Sequence, residues 1–256
     1  MIFVAAGTQD GRSLAGRLLQ AGYTVIASVV SSYGEKLLAE YPGILVNDKP
    51  LDEEGLVSYL TEKGVRLFVD ASHPYAANVS QNAMKACRRL SLPYIRYERQ
   101  SVPVSYEKVY TVESYDEAAE KAGALGKHVF LTTGSRNVRA FTASPALQDH
   151  EITVRILPTA EVIAEMEALG LTPKQMVALQ GPFSKELNVA LYRQYQAEVV
   201  VTKNSGEIGG TDTKLEAAAA LGLPVVMIDR PRIAYDRVVY TFDDVLQFVA
   251  EKLPEK

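Results

Sequence analysis

The fold is indicated most clearly by the stretch LFVDASHPYAA, which occupies residues 67–77. It begins with strand-type residues, passes through a polar turn, and continues into apolar residues that recur at helical spacings as far as Leu90. We expect Pro74 in the first turn of that helix, where a missing N–H costs nothing. Because ligands bind at the C-terminal ends of strands in open α/β sheets, His73 and Tyr75 are candidate site residues. A tight turn with a surface histidine is the simpler alternative.

Strands and helices alternate along the whole first half of the chain. This is the βαβ rhythm of a parallel sheet that has helices on both faces. The predicted strands cover residues 2–6, 24–30, 44–46, 67–71 and 94–97, and the predicted helices cover residues 13–21, 35–40, 53–63 and 76–90.

The second half of the chain repeats the first. FVAAGT at residues 3–8 resembles FLTTGS at residues 130–135, and LSLP at residues 90–93 resembles LGLP at residues 221–224. We therefore predict an α/β fold of two tandem Rossmann-like domains with parallel sheets and an intervening cleft. The predicted domains are residues 1–112 and residues 113–256.

One strand in each half lacks the usual crossover helix. No helix fits between Arg99 and Lys108, although a parallel crossover normally needs a dozen or more residues. The strand at residues 108–112 therefore either pairs antiparallel at an edge or crosses to the sheet of the other half. The same choice applies to the strand at residues 238–241. An exchange of these two strands between the sheets is one prediction of this pattern.

Composition narrows the class of protein. The chain has 256 residues, 47% of them apolar, and a net charge of −4, which argues against general nucleic-acid binding. The one cysteine, Cys87, excludes a disulfide framework, and we expect it to have a packing role. No apolar run reaches the length of a membrane span. The first residues read as a strand and not as a signal peptide, so we expect a cytoplasmic protein without membrane partners.

The first βα turn, AAGTQDGR at residues 5–12, is a candidate phosphate-binding turn. Its glycines are spaced Gly-x-x-x-Gly, which is a weak dinucleotide fingerprint. Gly7 and Gly11 would still permit a tight turn and close approach, and a helix N-terminus attracts phosphate. Thr8 offers a hydroxyl and Arg12 a charge. A glycine-bearing turn without a ligand is the alternative.

Serines extend this candidate cofactor site. The second strand ends with Ser31 and Ser32, which could accept a ribose or its phosphate, where NAD-specific sites often place an acid. The absence of an acid disfavours strict NAD specificity. Ser72, next to His73, completes the set of predicted cofactor contacts.

Two turns of the second half carry polar and cationic side chains. Ser135 and Arg136 follow the strand that ends near residue 132, and their donors would suit a carboxylate, although helix capping by Ser135 is the alternative. Lys203 ends a later strand, where a lysine is costly to bury without a partner. Ser205 and Gly206 begin the glycine-rich loop that follows it, which would let the backbone approach a ligand.

A helix follows that glycine-rich loop. We expect Thr211 or Asp212 to cap this helix, which also bears Lys214. We find no metal-ligand spacing, no paired-carboxylate site and no nucleophile elbow in the sequence.

Together these motifs resemble the precorrin-6A reductases of cobalamin (vitamin B12) biosynthesis, including the cobalt-precorrin-6A forms. The resemblance covers nearly the whole chain. The motifs that carry it are Gly7-Thr8 with Arg12, DASHPYA at residues 70–76, TGS at 133–135, GPFS at 181–184, TKNSG at 202–206 and TDTKLEA at 211–217. SSYG at residues 31–34 looks more like the cobalt-precorrin branch, and the choice between NADPH and NADH stays open.

The resemblance implies a hydride transfer from NADPH or NADH to one double bond of a polycarboxylate tetrapyrrole, with a proton completing the reduction. It implies that the first domain binds the nicotinamide dinucleotide and that the second contributes to tetrapyrrole binding. Other enzymes of the cobalamin pathway become candidate partners. The predicted substrate contacts are Ser135, Arg136, Lys203, Ser205, Gly206 and Lys214.

The predicted catalytic group consists of His73, Tyr75 and Lys203. We favour His73 as the proton donor, because an unperturbed imidazole pKa of about 6.5 lies nearest to working pH. Tyr75 and water are the other candidates. Two other functions stay open: an S-adenosylmethionine-dependent tetrapyrrole methyltransferase, and a two-domain protein that binds an anionic ligand without catalysis.

Overall fold

The computed structural model describes residues 1–29 and 32–254. The chain forms two compact units. Unit 1 comprises Met1–Gln100 and Pro231–Lys256, and unit 2 comprises Ser101–Arg230. Among the described residues, no helix is both long enough and apolar enough to cross a membrane.

Unit 1 contains a parallel sheet with six strands in the order β12-β5-β4-β1-β2-β3. Each strand of the first half is followed by a helix as the sequence pattern predicts, apart from β5. The strands are β1 (Ile2–Ala5), β2 (Val25–Ser28), β3 (Leu45–Asn47), β4 (Leu67–Asp70), β5 (Tyr94–Tyr97) and β12 (Val238–Val239). The helices are α1 (Gln9–Gln20), α2 (Ser32–Leu38), α3 (Glu53–Glu62), α4 (Ala77–Leu90) and α10 (Phe242–Lys252).

Unit 2 repeats this architecture with the strand order β6-β11-β10-β7-β8-β9. Its strands are β6 (Val109–Val112), β7 (His128–Leu131), β8 (Glu151–Ile156), β9 (Met176–Ala178), β10 (Val199–Lys203) and β11 (Val225–Ile228). Its helices are α5 (Tyr115–Leu125), α6 (Val138–Thr142), α7 (Ala160–Ala168), α8 (Lys185–Gln194) and α9 (Thr211–Leu221), with short 3₁₀ turns at Pro145–Leu147, Pro173–Gln175 and Glu207–Gly209. Two Rossmann-like parallel sheets are thus confirmed.

The predicted exchange of strands is also confirmed. β6 follows the first half in sequence but pairs in parallel with β11, and β12 follows the second half but pairs in parallel with β5. The antiparallel alternative is wrong, because each strand reaches its sheet in parallel without a crossover helix. As a consequence, the compact units differ from the division at residue 112 that the internal repeat predicts.

The central strands are buried on both faces, as parallel strands normally are. In β1, Ile2 and Val4 pack with residues of α1 and α10, whereas Phe3 and Ala5 pack with residues of α3 and α4. Cys87 belongs to this second cluster, and burial raises the pKa of its thiol to about 12. The cysteine therefore stays protonated and has the packing role that the sequence predicts.

Candidate functional site

The first turn of unit 1 is held to the neighbouring strand by Thr8. Its hydroxyl caps α1 by accepting from the Gly11 N–H at 3.0 Å, and it donates to the Ala71 carbonyl at 3.1 Å. Thr8 is also buried, with 7% of its surface exposed. The hydroxyl thus joins the start of α1 to the end of β4, a structural role that the sequence did not predict.

The two glycines of this turn have different surroundings. A Cβ placed on Gly7 would have no atom within 4 Å, so the space beside Gly7 is open. A Cβ on Gly11 would lie 2.8 Å from the Ala71 carbonyl oxygen and 3.0 Å from the Ala6 Cα. Gly11 is therefore needed for the close packing of α1 against the sheet, and Gly7 leaves room for an external group.

Charges at the N-terminus of α1 are balanced. Asp10 in the first helical turn would repel an anion, but Arg99 donates to its carboxylate at 2.5 Å and both side chains are buried. Within the described residues, the N–H groups of Gln9 and Asp10 have no protein acceptor. With the open space at Gly7, these features fit the pyrophosphate of a dinucleotide.

Two further residues that the sequence predicts to contact the cofactor are Arg12 and Ser31. Arg12 is half-buried on the first turn of α1. Ser31 lies outside the residues that the structure describes.

Asp70, the last residue of β4, organises the turn that carries His73. Its Oδ1 atom accepts from the Ser72 N–H at 3.0 Å and from the Arg96 guanidinium at 2.8 Å. Its Oδ2 atom accepts from the Tyr94 hydroxyl at 2.7 Å. Burial alone would raise the pKa of Asp70, but Arg96 and these hydrogen bonds outweigh it and lower the pKa. Asp70 is therefore ionised, and its carboxylate is the common acceptor for these donors beneath the turn.

Arg96 is the cation of this network and is 1% exposed. It also donates to the Ser72 hydroxyl at 2.9 Å and to Glu98 at 2.7 Å, and its guanidinium lies 5.4 Å from the centre of the Tyr235 ring. Burial would lower the pKa of Arg96, but the two acids raise it, so the guanidinium stays charged. Ser72, a predicted cofactor contact, is buried and accepts from Arg96, which fixes the start of the turn.

The turn itself runs from His73 to Ala76, whose N–H donates to the His73 carbonyl at 2.8 Å. Pro74 occupies the second position of this turn, which proline favours, and α4 begins only at Ala77. The prediction that Pro74 lies in the first helical turn is therefore wrong. The Tyr75 N–H donates to the His73 Nδ1 atom at 3.2 Å, which places the proton of the neutral imidazole on Nε2.

In unit 2, Lys203 ends β10 and the following loop folds back on it. The Ser205 N–H donates to the Lys203 carbonyl at 2.9 Å and to the Thr211 hydroxyl at 3.1 Å, and the Thr211 hydroxyl donates to the same carbonyl at 3.2 Å. The expected cap by Thr211 or Asp212 is wrong, because Gly210 is the N-cap of α9 and no side chain caps it. Gly206 has a φ of +81°, which requires the glycine.

Two lysines of this region have lowered pKa values. Burial, together with the charge of Arg136, lowers the pKa of Lys203 to about 8. Burial, with the charges of Arg155 and Lys203, lowers the pKa of Lys214 to about 7, although Asp212 opposes this. The Lys214 ammonium donates to the Gly209 carbonyl at 2.8 Å. The charge of Arg136 therefore acts on Lys203, and the charge of Lys203 acts on Lys214.

The turn after β7 differs from its counterpart in unit 1. Gly134 has a φ of +81°, and the Val138 N–H donates to the Ser135 carbonyl at 3.1 Å. The helix α6 that follows has only five residues, and its N-cap is Asn137, so Ser135 does not cap it. Arg136 is exposed, and its charge contributes to the lowered pKa of Lys203.

Several residues of these networks do not belong to the motifs that the sequence indicates. Arg96 lies between Ile95 and Tyr97, and Arg155 lies between Val154 and Ile156, and this contrast is a signal that could have identified both arginines. Asn204 binds the backbone of Val102 through both amide atoms at 3.0 Å, and its carbonyl accepts from Arg230 at 2.7 Å. Its neighbours Lys203 and Ser205 are thereby fixed to the segments at both ends of unit 2. No cluster of three metal-ligating side chains occurs in the described part of the chain.

Comparison with known proteins gives consistent results over almost the full length. The family described as "Precorrin-6x reductase CbiJ/CobK" matches residues 1–250. A cobalt-precorrin-6A reductase of Priestia megaterium is 41% identical over 247 residues, which cover 96% of each chain. A precorrin-6A reductase of Rhodobacter capsulatus is 30% identical over 253 residues, covering 98% of this chain and 96% of the relative. The solved structure of "CobK precorrin-6A reductase" has a TM-score of 0.79 at 28% identity, and the match covers 98% and 96% of the two chains.

Proposed function

Because the chain belongs to the precorrin-6x reductase CbiJ/CobK family, we propose that it reduces one double bond of precorrin-6A or cobalt-precorrin-6A in cobalamin biosynthesis. It is an oxidoreductase that acts on a CH–CH group, and a hydride from NADPH or NADH supplies the reducing equivalents. The observation that carries the proposal is the family match over residues 1–250.

The dinucleotide binds to unit 1 in this proposal. The open space beside Gly7 and the N–H groups at the start of α1 receive its pyrophosphate. Gly11 keeps α1 close to the sheet, and Thr8 holds the turn to Ala71. Arg12, Ser31 and Ser72 stay proposed cofactor contacts. The bound nicotinamide supplies the hydride, and the residues of unit 1 hold it in position.

The tetrapyrrole binds through its carboxylates to unit 2 in this proposal. Positive charge comes from Lys203, Lys214 and Arg136. The backbone at Ser135, Ser205 and Gly206 lets the substrate carboxylates approach closely. Precise placement of donor and acceptor atoms accounts for a large part of the rate of such a transfer. These residues therefore act mainly by holding the tetrapyrrole in the orientation that hydride transfer requires.

The proton comes from the turn that the Asp70–Arg96 network holds in place. His73 is the preferred donor and acts as the imidazolium, because a neutral imidazole is too weak an acid. Its Nε2 atom carries a proton in both forms, and its Nδ1 atom, which accepts from the Tyr75 N–H in the neutral ring, takes up the second proton. Tyr75 and Lys203, with a pKa lowered to about 8, are the alternative donors. Other enzymes of the pathway are proposed partners, and a cytoplasmic location is part of the proposal.

The test is to titrate NADPH, NADH and S-adenosylmethionine while following nicotinamide fluorescence, and then to add the enzymatically prepared tetrapyrrole. We expect binding of one or both reduced nicotinamides, and their oxidation when the tetrapyrrole is present. Binding of S-adenosylmethionine with methyl transfer would replace the proposal by a methyltransferase. Tetrapyrrole binding without nicotinamide oxidation would indicate a binding protein.

A further inference from the structure

Arg155 in β8 is a buried cation that lacks an acidic partner. Its side chain is 6% exposed, its Nη1 atom donates to the Asn188 Oδ1 atom at 2.6 Å, and its Cζ atom lies 4.0 Å from the centre of the Phe183 ring. Among the described residues, no carboxylate pairs with Arg155 and no other group accepts from it. Most of the N–H donors of the guanidinium are therefore unused.

Asn188 holds Arg155 in a fixed orientation. The Asn188 Nδ2 atom donates to the Ser184 carbonyl at 3.0 Å and approaches the Thr213 hydroxyl at 3.5 Å, so its Oδ1 atom faces the guanidinium. Asn188 is itself fully buried. A neutral acceptor thus stands where a buried arginine would usually have a carboxylate, and it leaves the positive charge uncompensated.

Two neighbouring groups also have few partners. Lys214 is 7% exposed, and its ammonium makes its one hydrogen bond in the described part of the chain to the Gly209 carbonyl. Asp212 is the one acid whose charge raises the pKa of Lys214, and the two form no ion pair among the described residues. The Tyr192 hydroxyl is buried and has no hydrogen-bond partner among the described residues. Asn188, which accepts from Arg155, lies one turn before Tyr192 on α8 and approaches the hydroxyl of Thr213, the residue before Lys214. The side chains of Arg155, Lys214 and Tyr192 therefore belong to one region of unit 2.

Unit 1 provides an internal comparison. Its buried arginines, Arg96 and Arg99, form ion pairs with Asp70 and Asp10 at 2.8 Å and 2.5 Å. Burial of an unpaired charge is strongly unfavourable, and this chain avoids it where the arginine has a structural role. The exception at Arg155 and Lys214 therefore points to an anion supplied from outside the chain.

We propose that Arg155 and Lys214 form an oxyanion subsite that binds one carboxylate of the tetrapyrrole. The inference rests on the proposed function and names Arg155 of β8, a residue that the sequence motifs did not include. A planar guanidinium matches a carboxylate through paired hydrogen bonds, while the lysine adds a donor. The phosphates of the dinucleotide also carry anionic oxygen atoms that could bind these cations, and the test separates the two ligands.

The test uses uroporphyrin, a stable tetrapyrrole with many carboxylates, and NADPH as separate ligands of the full chain. We compare the wild type with R155Q, which keeps a donor for Asn188 but removes the charge, and with R155K, which keeps the charge. R193Q is the matched control, because Arg193 is exposed on the same helix as Asn188 and Tyr192. Porphyrin absorbance and nicotinamide fluorescence report binding, and thermal unfolding reports folding.

We expect R155Q to weaken uroporphyrin binding about tenfold or more, which is the scale of a lost charge-assisted hydrogen bond. R155K should have a smaller effect, R193Q none, and NADPH binding should not change. Weaker NADPH binding with unchanged uroporphyrin binding would overturn the carboxylate assignment. Equal uroporphyrin binding by all variants, or none by the folded wild type, would overturn the subsite. Nicotinamide oxidation by the wild type tests the proposed function independently of these results.

Discussion

The Arg96 guanidinium donates to the Asp70 carboxylate at 2.8 Å, and both side chains are almost completely buried. This pair joins the ends of β4 and β5 beneath the turn that bears His73. Both members of the pair also bind Ser72, the residue before His73: Asp70 accepts from the Ser72 N–H, and Arg96 donates to the Ser72 hydroxyl. The position of the proposed proton donor therefore depends on a buried ion pair.

Asp70→Asn is expected to destabilise the protein by about 3–5 kcal/mol, because it leaves the Arg96 charge buried without its main partner. Urea unfolding would measure this change. The matched control is Asp236→Asn, which removes an exposed ion pair with Arg88 and should cost less than about 1 kcal/mol. Equal effects of the two substitutions would contradict a special role for the buried pair.

The same pair gives a prediction for acid pH. The pKa of Asp70 in the folded protein is lowered below its unfolded value of about 3.9, despite the opposing effect of burial. Its stabilising contribution is therefore fully present above about pH 4 and is lost as the pH falls through the folded-state pKa. We expect the stability of Asp70→Asn to fall less steeply on acidification than that of the wild type, in unfolding curves recorded at several pH values.

Substitutions at the two glycines of the first turn should affect different properties: cofactor binding at Gly7 and stability at Gly11. Gly7→Val fills open space, so it should leave the melting temperature nearly unchanged but raise the Michaelis constant for the nicotinamide at least tenfold. Gly11→Ala should instead destabilise the protein by about 1–3 kcal/mol, because its Cβ would press against the Ala71 carbonyl. A folded Gly7→Val variant with unchanged Michaelis constants would argue against phosphate binding at this turn.

His73→Ala should lower turnover about a hundredfold, the usual scale for loss of a positioned proton donor. It should also remove the dependence of turnover on pH near neutrality. Tyr75→Phe is the comparison, since it keeps the N–H that donates to His73 and removes only the phenol hydroxyl. Full turnover of His73→Ala with an unchanged pH profile would exclude the imidazole as the donor and leave solvent, Tyr75 or Lys203 as the proton source.

Lys203→Ala is expected to raise the Michaelis constant for the tetrapyrrole while turnover changes little. This follows if the lysine binds the substrate carboxylates equally in the ground state and the transition state. Steady-state kinetics with the tetrapyrrole varied at saturating nicotinamide would measure both constants. A fall in turnover at unchanged Michaelis constant would instead assign Lys203 to the chemical step.

Lys214 should make the stability of the protein depend on pH between neutral and alkaline values. Burial lowers its pKa to about 7 in the folded protein, whereas an unfolded lysine has a pKa of about 10.4. The unfolded chain binds the extra proton between these values, so the free energy of unfolding should rise with pH across that range. Lys214→Met should flatten this rise and increase stability below about pH 7.

Lys108→Met is the matched control for Lys214→Met, because the Lys108 ammonium also donates to a backbone carbonyl but is exposed. It should leave the pH dependence unchanged. The same alkaline slope in the wild type and in Lys214→Met would show that another group is responsible.

The sequence by itself determined the parallel architecture, the repeat and the positions of the turns that carry polar side chains. These features follow from local periodicity, since strand and helix spacing report which residues are buried. Even the exchange of β6 and β12 was foreseeable, because the chain before each strand is too short for a crossover helix.

Only the tertiary structure decided which polar groups become partners. Arg96 meets Asp70 across 26 residues, and Arg155 meets Asn188 across 33, in contacts that depend on strand order and helix packing. The same holds for the two glycines, since only the position of the Ala71 carbonyl shows that Gly11 is enclosed and Gly7 is open. A periodic pattern reports the burial of a residue but not the atom it meets, because that atom comes from a distant segment brought close by folding.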